Sequence, residues 1–105
     1  MDIHRATKDK AVQFTRIKGD GIYSIPYSCM VSTKYPNVIA GCKAVYSDVV
    51  AFAAHRTMPS VMGIGNAAGV AAAIAAREGT DLRMLDPRRI QDIIRADYPD
   101  CYSKF

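Results

Sequence analysis

The sequence predicts an α/β fold, with a few short strands followed by a long Ala- and Gly-rich helix and a second C-terminal helix. Three observations predict it. Short apolar segments bounded by turn residues fill the first 45 positions, an alanine-rich run with few polar interruptions follows Thr57, and Asp86-Pro87 is a typical helix start. We expect residues 1–105 to form a single unit. Its parts are an N-terminal extension (1–20), strands (21–45), the long helix (57–78) and the C-terminal helix (86–98).

The strands are predicted from three segments. In residues 11–17 (AVQFTRI), apolar and polar residues alternate enough to predict a strand. Residues 22–32 (IYSIPYSCMVS) are expected to be extended and interrupted at Pro26. Residues 37–41 (NVIAG) form a short apolar run that ends in glycine. This pattern suits a buried parallel strand whose glycine lets a ligand approach the backbone.

The helices are predicted from their end signals. Thr57 can cap the long helix, Pro59 is tolerated in its first turn, and Gly79 is a typical C-cap. The preceding segment, 46–56, is ambiguous between helix and loop. In the C-terminal helix, isoleucines at 90, 93 and 94 share one face.

The amino-acid composition limits the classes of function that this chain can have. The chain of 105 residues has a net charge of +4 with scattered basic residues, which indicates no nucleic-acid binding. The three cysteines contain no C-x-x-C pair, and the two histidines lack metal-ligand spacing, so we expect a reducing, cytoplasmic location and no metal site. The Ala/Gly-rich stretch has few large apolar residues, so no membrane span is expected.

The stretch MPSVMGIGNAAGVAAAIAAREG (58–79) allows two interpretations. Gly63, Gly65 and Ala68 spell G-x-G-x-x-A, and Asp86 follows where a ribose-binding acid could lie, so a small Rossmann-like nucleotide-binding module is one hypothesis. Pro59 lies where the preceding strand should run, which disfavours it. The other interpretation is one continuous helix whose small residues allow close packing. Secondary structure at 58–64 separates the two.

A family resemblance rests on three segments in order: YSIPY (23–27), NVIAG (37–41) and RTMPSVMGIGNAAGVAAAIAAREG (56–79). Together they resemble the C-terminal end of FAD-dependent oxidoreductases of the fumarate-reductase and glutathione-reductase superfamily. The resemblance covers about residues 21–95. It implies an incomplete portion of an FAD-binding fold, with FAD as cofactor.

The resemblance implies two groups of cofactor-binding residues. One is the backbone at the end of the apolar strand, and the other is the start of the long helix, whose positive end would face the flavin. Lys43 follows Cys42 where the family usually has arginine, and Asn66 replaces a glutamine. The implied residues are Ala40, Gly41, Cys42, Lys43, Arg56, Met58, Pro59, Ser60, Val61, Gly65 and Asn66.

Catalytic residues are less evident because the family's His-Glu pair is not recognisable. His55 and Arg56 are the nearby groups suited to proton transfer or to holding a carboxylate substrate. The resemblance further implies a larger flavoprotein chain as partner, or self-association, and a small-molecule substrate. A non-enzymatic oligomerising protein is the third hypothesis.

Overall fold

The computed structural model describes residues 2–4, 12–14 and 23–102. Two three-residue strands, β1 (Asp2–His4) and β2 (Val12–Phe14), pair antiparallel, with Ile3 opposite Gln13. The helices within these residues are α1 (Val49–His55), α2 (Met58–Glu78), α3 (Pro87–Asp97) and α4 (Pro99–Tyr102). Short 3-10 turns lie at Tyr27–Cys29 and Leu82–Met84.

The predicted α/β fold is wrong, because the described part of the chain is mainly helical. The segment 22–32 has a 3-10 turn after Pro26 instead of a strand over its described part. The apolar run 37–41 contributes only a single antiparallel bridge, between Ile39 and Val31, and no parallel strand. Such a short apolar run does not reveal by itself whether a neighbouring strand exists to continue the ladder. In the N-terminal extension (1–20), only β1 and β2 fall within the described residues.

The ambiguous segment before the long helix is helical. Asp48 is the N-cap of α1, where its Oδ1 accepts a hydrogen bond of 2.7 Å from the backbone N–H of Ala51. This contact satisfies one of the N–H groups that a helix start leaves unpaired. Asp48 is therefore a capping residue.

The long helix, α2, is continuous from Met58 to Glu78. Thr57 occupies the N-cap position, and Gly79 ends the helix in the left-handed conformation (φ 65°). Glycine adopts this conformation without the steric penalty that a side chain brings. The buried residues of α2 are Ile64, Ala68, Ala71 and Ile74, whose spacing of three and four places them on one face.

Two small apolar clusters flank that face. The first joins Ala71 and Ile74 of α2 to Leu82, Leu85 and Ile90, and so fixes α3 against α2. The second contains Met30, Val45, Ile64 and Ala68, and it fixes the loop between residues 30 and 45. The predicted isoleucine face of α3 is only partly buried, because Ile90 is 3% exposed and Ile93 is 40% exposed.

Hydrogen bonds tie the segment before α1 to these clusters. Ala40 donates its backbone N–H to the carbonyl of Met30 (2.7 Å), and Leu82 donates to the carbonyl of Pro36 (3.0 Å). The hydroxyl of Tyr27 donates to the carbonyl of Leu82 at 2.8 Å. Burial, assisted by the nearby negative charge of Asp81, raises the pKa of Tyr27. The tyrosine thus remains a donor at neutral pH.

By length and composition alone, α2 could cross a membrane. Apolar helices in the cores of water-soluble proteins have the same properties, so this observation is weak evidence for a span. The absence of a membrane span stays a prediction.

Candidate functional site

The N-terminal turn of α2 has an incomplete cap. The side chain of Thr57 makes no hydrogen bond to the backbone of the first turn, and its Oγ1 lies 3.2 Å from the Oγ of Ser60 instead. The early N–H groups of a helix lack partners within the helix and carry its positive dipole end. This end of α2 is therefore suited to an acceptor or to negative charge supplied from outside the helix.

A cavity of about 420 Å³ lies beside this first turn. We call it the α2 cavity. Gly63 leaves this lining open. A Cβ built at position 63 would meet no heavy atom within 4 Å, apart from its chain neighbours and the nearby backbone of α2. The residues that line it include Tyr23, Ile25, Met30, Pro59, Ser60 and Gly63.

A second cavity, of about 470 Å³, lies on the α1 side of Tyr23. We call it the His55 cavity. Tyr23 and Ile25 line both cavities. The residues that line the second one include Tyr23, Ile25, Cys29, Tyr46, Asp48 and His55.

Tyr23 connects the two helices between these cavities. Its hydroxyl donates to the carbonyl of Ala54 in α1 at 2.7 Å and lies 2.8 Å from the Oγ of Ser60 in α2. Tyr23 is not among the site residues predicted from the sequence, although it begins the YSIPY segment that carries the resemblance. No local pattern signals a contact across more than thirty residues.

His55 is buried, with 4% of its surface exposed. Neither ring nitrogen has a hydrogen-bond partner among the described residues, and the ring meets Phe52 edge-on at a centroid distance of 5.4 Å. Arg56, the other predicted catalytic residue, is the half-buried C-cap of α1 and does not line the His55 cavity. Of the two predicted catalytic residues, only His55 therefore lines this cavity.

The predicted cofactor-binding residues fall into two places. Met58, Pro59, Ser60 and Val61 form the first turn of α2, and Arg56 lies two residues before Met58. Gly65 and Asn66 lie further along the helix, about 10 Å from its start at a rise of 1.5 Å per residue. Ala40, Gly41, Cys42 and Lys43 belong to the loop that packs beside the middle of α2.

Gly41 and Gly65 face each other. A Cβ on Gly41 would lie 3.1 Å from the Cβ of Ala68, and a Cβ on Gly65 would lie 3.3 Å from the carbonyl oxygen of Gly41. These two glycines allow the loop to approach the helix closely. The exposed residues after them, Cys42 and Lys43, and the exposed Asn66 remain accessible.

The nucleotide-binding hypothesis is wrong. Gly63, Gly65 and Ala68 lie within a continuous helix and not at a strand-to-helix turn, so their backbone cannot form the phosphate cradle of the fingerprint. Asp86 caps α3, where its Oδ1 accepts from the N–H of Arg88 at 2.9 Å.

The carboxylates with shifted pKa values, Glu78 and Asp81, lie at and just beyond the C-terminal end of α2. A hydrogen bond from Arg89 lowers the pKa of Glu78, and one from Arg83 lowers the pKa of Asp81. These two ion pairs join α2 and its following loop to α3 and to the 3-10 turn, and they do not line either cavity. The part of the chain that the structure describes contains no cluster of acidic, histidine and cysteine side chains that could hold a metal ion.

The family model of the FAD dependent oxidoreductases matches residues 1–94. The chain belongs to this FAD-dependent oxidoreductase family. The resemblance drawn from the three segments is thus confirmed, and FAD is the family's cofactor. No curated protein and no solved structure matched the chain.

The residues of this FAD-dependent oxidoreductase chain fit part of the cofactor. The α2 cavity, at about 420 Å³, has room for a ring system and not for a whole dinucleotide. Its incompletely capped helix end and the open position at Gly63 suit the edge of a flat, electron-rich ring.

Proposed function

We propose that this chain forms the flavin-facing C-terminal part of an FAD-dependent oxidoreductase, with most cofactor contacts made by other residues or by a larger partner chain. The observation that carries the proposal is the incompletely capped first turn of α2 beside the α2 cavity, within a chain that belongs to the family. FAD, when bound, would supply hydride transfer to or from a small-molecule substrate.

The first turn of α2 has a specific role in this proposal. The helix end is equivalent to roughly half a positive charge, and it stabilises negative charge placed next to it. Ser60 and the backbone of Met58 would face the pyrimidine side of the ring, and Gly63 would leave room for it. Tyr23 holds Ser60 in position through the 2.8 Å contact between their oxygens.

The loop after Gly41 would lie along the ribityl and phosphate region. Gly41 packs on α2, so the exposed Cys42 and Lys43 follow at a fixed place beside the helix. Lys43 carries a charge that can meet a phosphate as a point charge, without the two-pronged geometry of arginine.

The exposed start of α2 is suited to contact with another protein chain. Met58 is 81% exposed and Met62 is 74% exposed, on the same side of one helical turn. Large exposed apolar side chains beside a cofactor edge would be covered by the chain that holds the rest of FAD. His55 and Arg56 remain the candidates for contact with substrate, and the site is proposed to operate in the cytoplasm.

The test is purification of the protein from its native source, followed by an absorbance spectrum and a mass inventory of co-purifying chains. We expect a flavin band and a larger chain with a dinucleotide-binding unit. A colourless protein that self-associates in every condition would contradict the proposal and favour the oligomerising alternative.

A matched pair of variants tests whether the flavin contacts α2 at Gly63. Gly63→Ala adds a methyl group to the lining of the α2 cavity without meeting a described neighbour, whereas Gly69→Ala adds the same methyl group at an exposed position of the same helix. We expect Gly63→Ala to lower flavin content and Gly69→Ala to retain it. Equal flavin content in both variants would contradict contact at Gly63.

A further inference from the structure

The hydroxyl groups at the start of α2 form a chain of hydrogen bonds with a single direction. Tyr23 donates its one hydroxyl proton to the carbonyl oxygen of Ala54 at 2.7 Å, because a carbonyl can only accept. Ser60 is therefore the donor in its 2.8 Å contact with the oxygen of Tyr23. Since this uses the proton of Ser60, Thr57 is the donor in the longer contact of 3.2 Å between the oxygens of Thr57 and Ser60.

This direction determines what Ser60 offers to the α2 cavity. A serine hydroxyl has one proton and two lone pairs on its oxygen. The proton points at Tyr23 and one lone pair faces Thr57, so one lone pair remains. Ser60 lines the cavity, and its side-chain contacts are exposed to solvent. Toward a molecule in the cavity, the hydroxyl of Ser60 is therefore an acceptor and not a donor.

The backbone of the same turn has the opposite chemistry. The N–H groups of Met58 and Ser60 are among the first of α2, where the helix itself supplies no acceptor, and Pro59 between them has no N–H. Val61 donates to the carbonyl of Thr57 and so completes the first turn. The start of α2 thus presents backbone donors beside a side-chain acceptor. A molecule that matches both has a carbonyl next to an N–H, as the edge of an imide does.

We propose that Ser60 accepts a hydrogen bond from the N–H at flavin N3, with an adjacent ring carbonyl facing the backbone N–H groups of Met58 and Ser60. This inference rests on the proposed function and names the hydrogen bonds of that site. Ser60 selects the imide edge of the ring, and Tyr23 is a positioning residue that directs the proton of Ser60 away from the cavity. The described lining of the α2 cavity contains no charged side chain that would compete for this neutral edge.

The direction of the hydrogen bonds is tested on the 105-residue chain without flavin. A neutron crystal structure of the chain in deuterium oxide shows which oxygen carries each deuterium. We expect the deuterium of Ser60 to point at Tyr23, and that of Tyr23 to point at Ala54. A deuterium of Ser60 directed into the α2 cavity would overturn the proposal, whether or not the chain ever carries flavin.

The hydrogen bond to the flavin is tested in the complex that co-purifies with FAD. Its apo form is reconstituted with FAD and with FAD methylated at N3, which lacks the proton that Ser60 accepts. We expect the methylated cofactor to bind about tenfold more weakly. In Ser60→Ala the two cofactors should bind with similar affinity. Ser28→Ala removes an exposed hydroxyl outside the α2 cavity and should leave the discrimination unchanged.

Nitrogen-15 NMR of the bound cofactor separates this contact from a merely structural effect. Ser60→Ala should shift the resonance of flavin N3 and leave that of N10, which lies away from the imide edge. Tyr23→Phe frees the proton of Ser60 to turn into the cavity, so it should shift N3 in the same direction by a smaller amount. Equal shifts of N3 and N10 in Ser60→Ala, or no shift of N3, would overturn the proposal.

The failure of this inference is distinguishable from the failure of the proposed function. A complex that carries FAD and binds the N3-methylated cofactor equally well refutes the role of Ser60 and leaves the proposed function intact. A chain with the expected deuterium positions that never carries flavin refutes the proposed function, and with it the flavin contact of Ser60.

Discussion

The hydroxyl oxygen of Tyr23 lies 2.8 Å from the Oγ of Ser60, and the same hydroxyl donates to the carbonyl of Ala54. One side chain thus fixes the end of α1 relative to the start of α2. This arrangement separates the α2 cavity from the His55 cavity, so the geometry of both depends on it.

Replacing Tyr23 tests this connection. Tyr23→Phe keeps the ring and removes both hydrogen bonds, so we expect a loss of about 1 kcal/mol in the free energy of unfolding. Urea denaturation followed by circular dichroism measures the loss. Tyr35→Phe is the control, since the hydroxyl of Tyr35 makes no hydrogen bond among the described residues; an equal loss in both variants would contradict the connection.

The close approach of Gly41 to α2 predicts a destabilising substitution. A Cβ at Gly41 would lie 3.1 Å from the Cβ of Ala68, and neither group can rotate away because both are attached directly to the backbone. We therefore expect Gly41→Ala to lower the free energy of unfolding by about 1–3 kcal/mol.

The opposite sign is expected at an open glycine of α2. Gly69→Ala adds a methyl group that meets no described neighbour within 4 Å, and alanine is favoured over glycine in a helix interior by about 0.5–1 kcal/mol. Denaturation of both variants under the same conditions gives the comparison. Stabilisation by Gly41→Ala would show that the loop does not lie against the helix.

The docking of α3 depends on Ile90. Its side chain is 3% exposed and packs in the cluster of Ala71, Ile74, Leu82 and Leu85. We expect Ile90→Ala to reduce the free energy of unfolding by about 2–5 kcal/mol, because it removes buried apolar groups and leaves a cavity. Ile93→Ala, at a position 40% exposed, should cost less than about 1 kcal/mol. Similar losses at the two positions would contradict this packing.

The ion pair between Glu78 and Arg89 predicts a dependence of stability on pH. The hydrogen bond from Arg89 lowers the pKa of Glu78 below its ordinary value of 4.5 in the folded state. The unfolded chain then binds the proton more readily, so the pair stabilises the fold above about pH 4.5 and this contribution is lost as the pH falls through the lower folded-state pKa.

Thermal unfolding between pH 7 and pH 3 checks this dependence. We expect Glu78→Gln to have a smaller decrease in melting temperature over that interval than the unaltered chain. The difference should shrink in 1 M NaCl, because the pair is solvent-exposed and salt screens it. If the melting temperature of Glu78→Gln fell with pH as much as that of the unaltered chain, the prediction for Glu78 would be contradicted.

The sequence predicted α2, α3, the family and a strand within residues 11–17, where β2 lies, and it failed on the strands expected over 22–32 and 37–41. Gly79 after the alanines and Asp86-Pro87 are local signals, and each acts within a few residues of its own position. The run 37–41 has the composition of a strand, yet a strand exists only if another segment continues its hydrogen bonds. In the described residues, Val31 supplies a single bridge to Ile39.

The sequence likewise predicts only part of the candidate site. The residues at the start of α2 could be named from the sequence because they are contiguous and carry the resemblance. The exclusion of the nucleotide fingerprint needed the structure, since G-x-G-x-x-A has the same spacing in a turn and in a helix.

By itself, the sequence determined where α2 and α3 begin and end and which family the chain belongs to, because caps, glycines and motif order are local properties of the chain. Tertiary structure alone decided that Gly41 packs on Ala68, that Tyr23 joins α1 to α2, and that the His55 ring nitrogens are buried without a hydrogen-bond partner among the described residues. The physical reason is that the first two are contacts between distant segments, and the third is a lack of such a contact. All three features depend on which distant segments of the chain meet, and the residue periodicity of a single segment does not determine this.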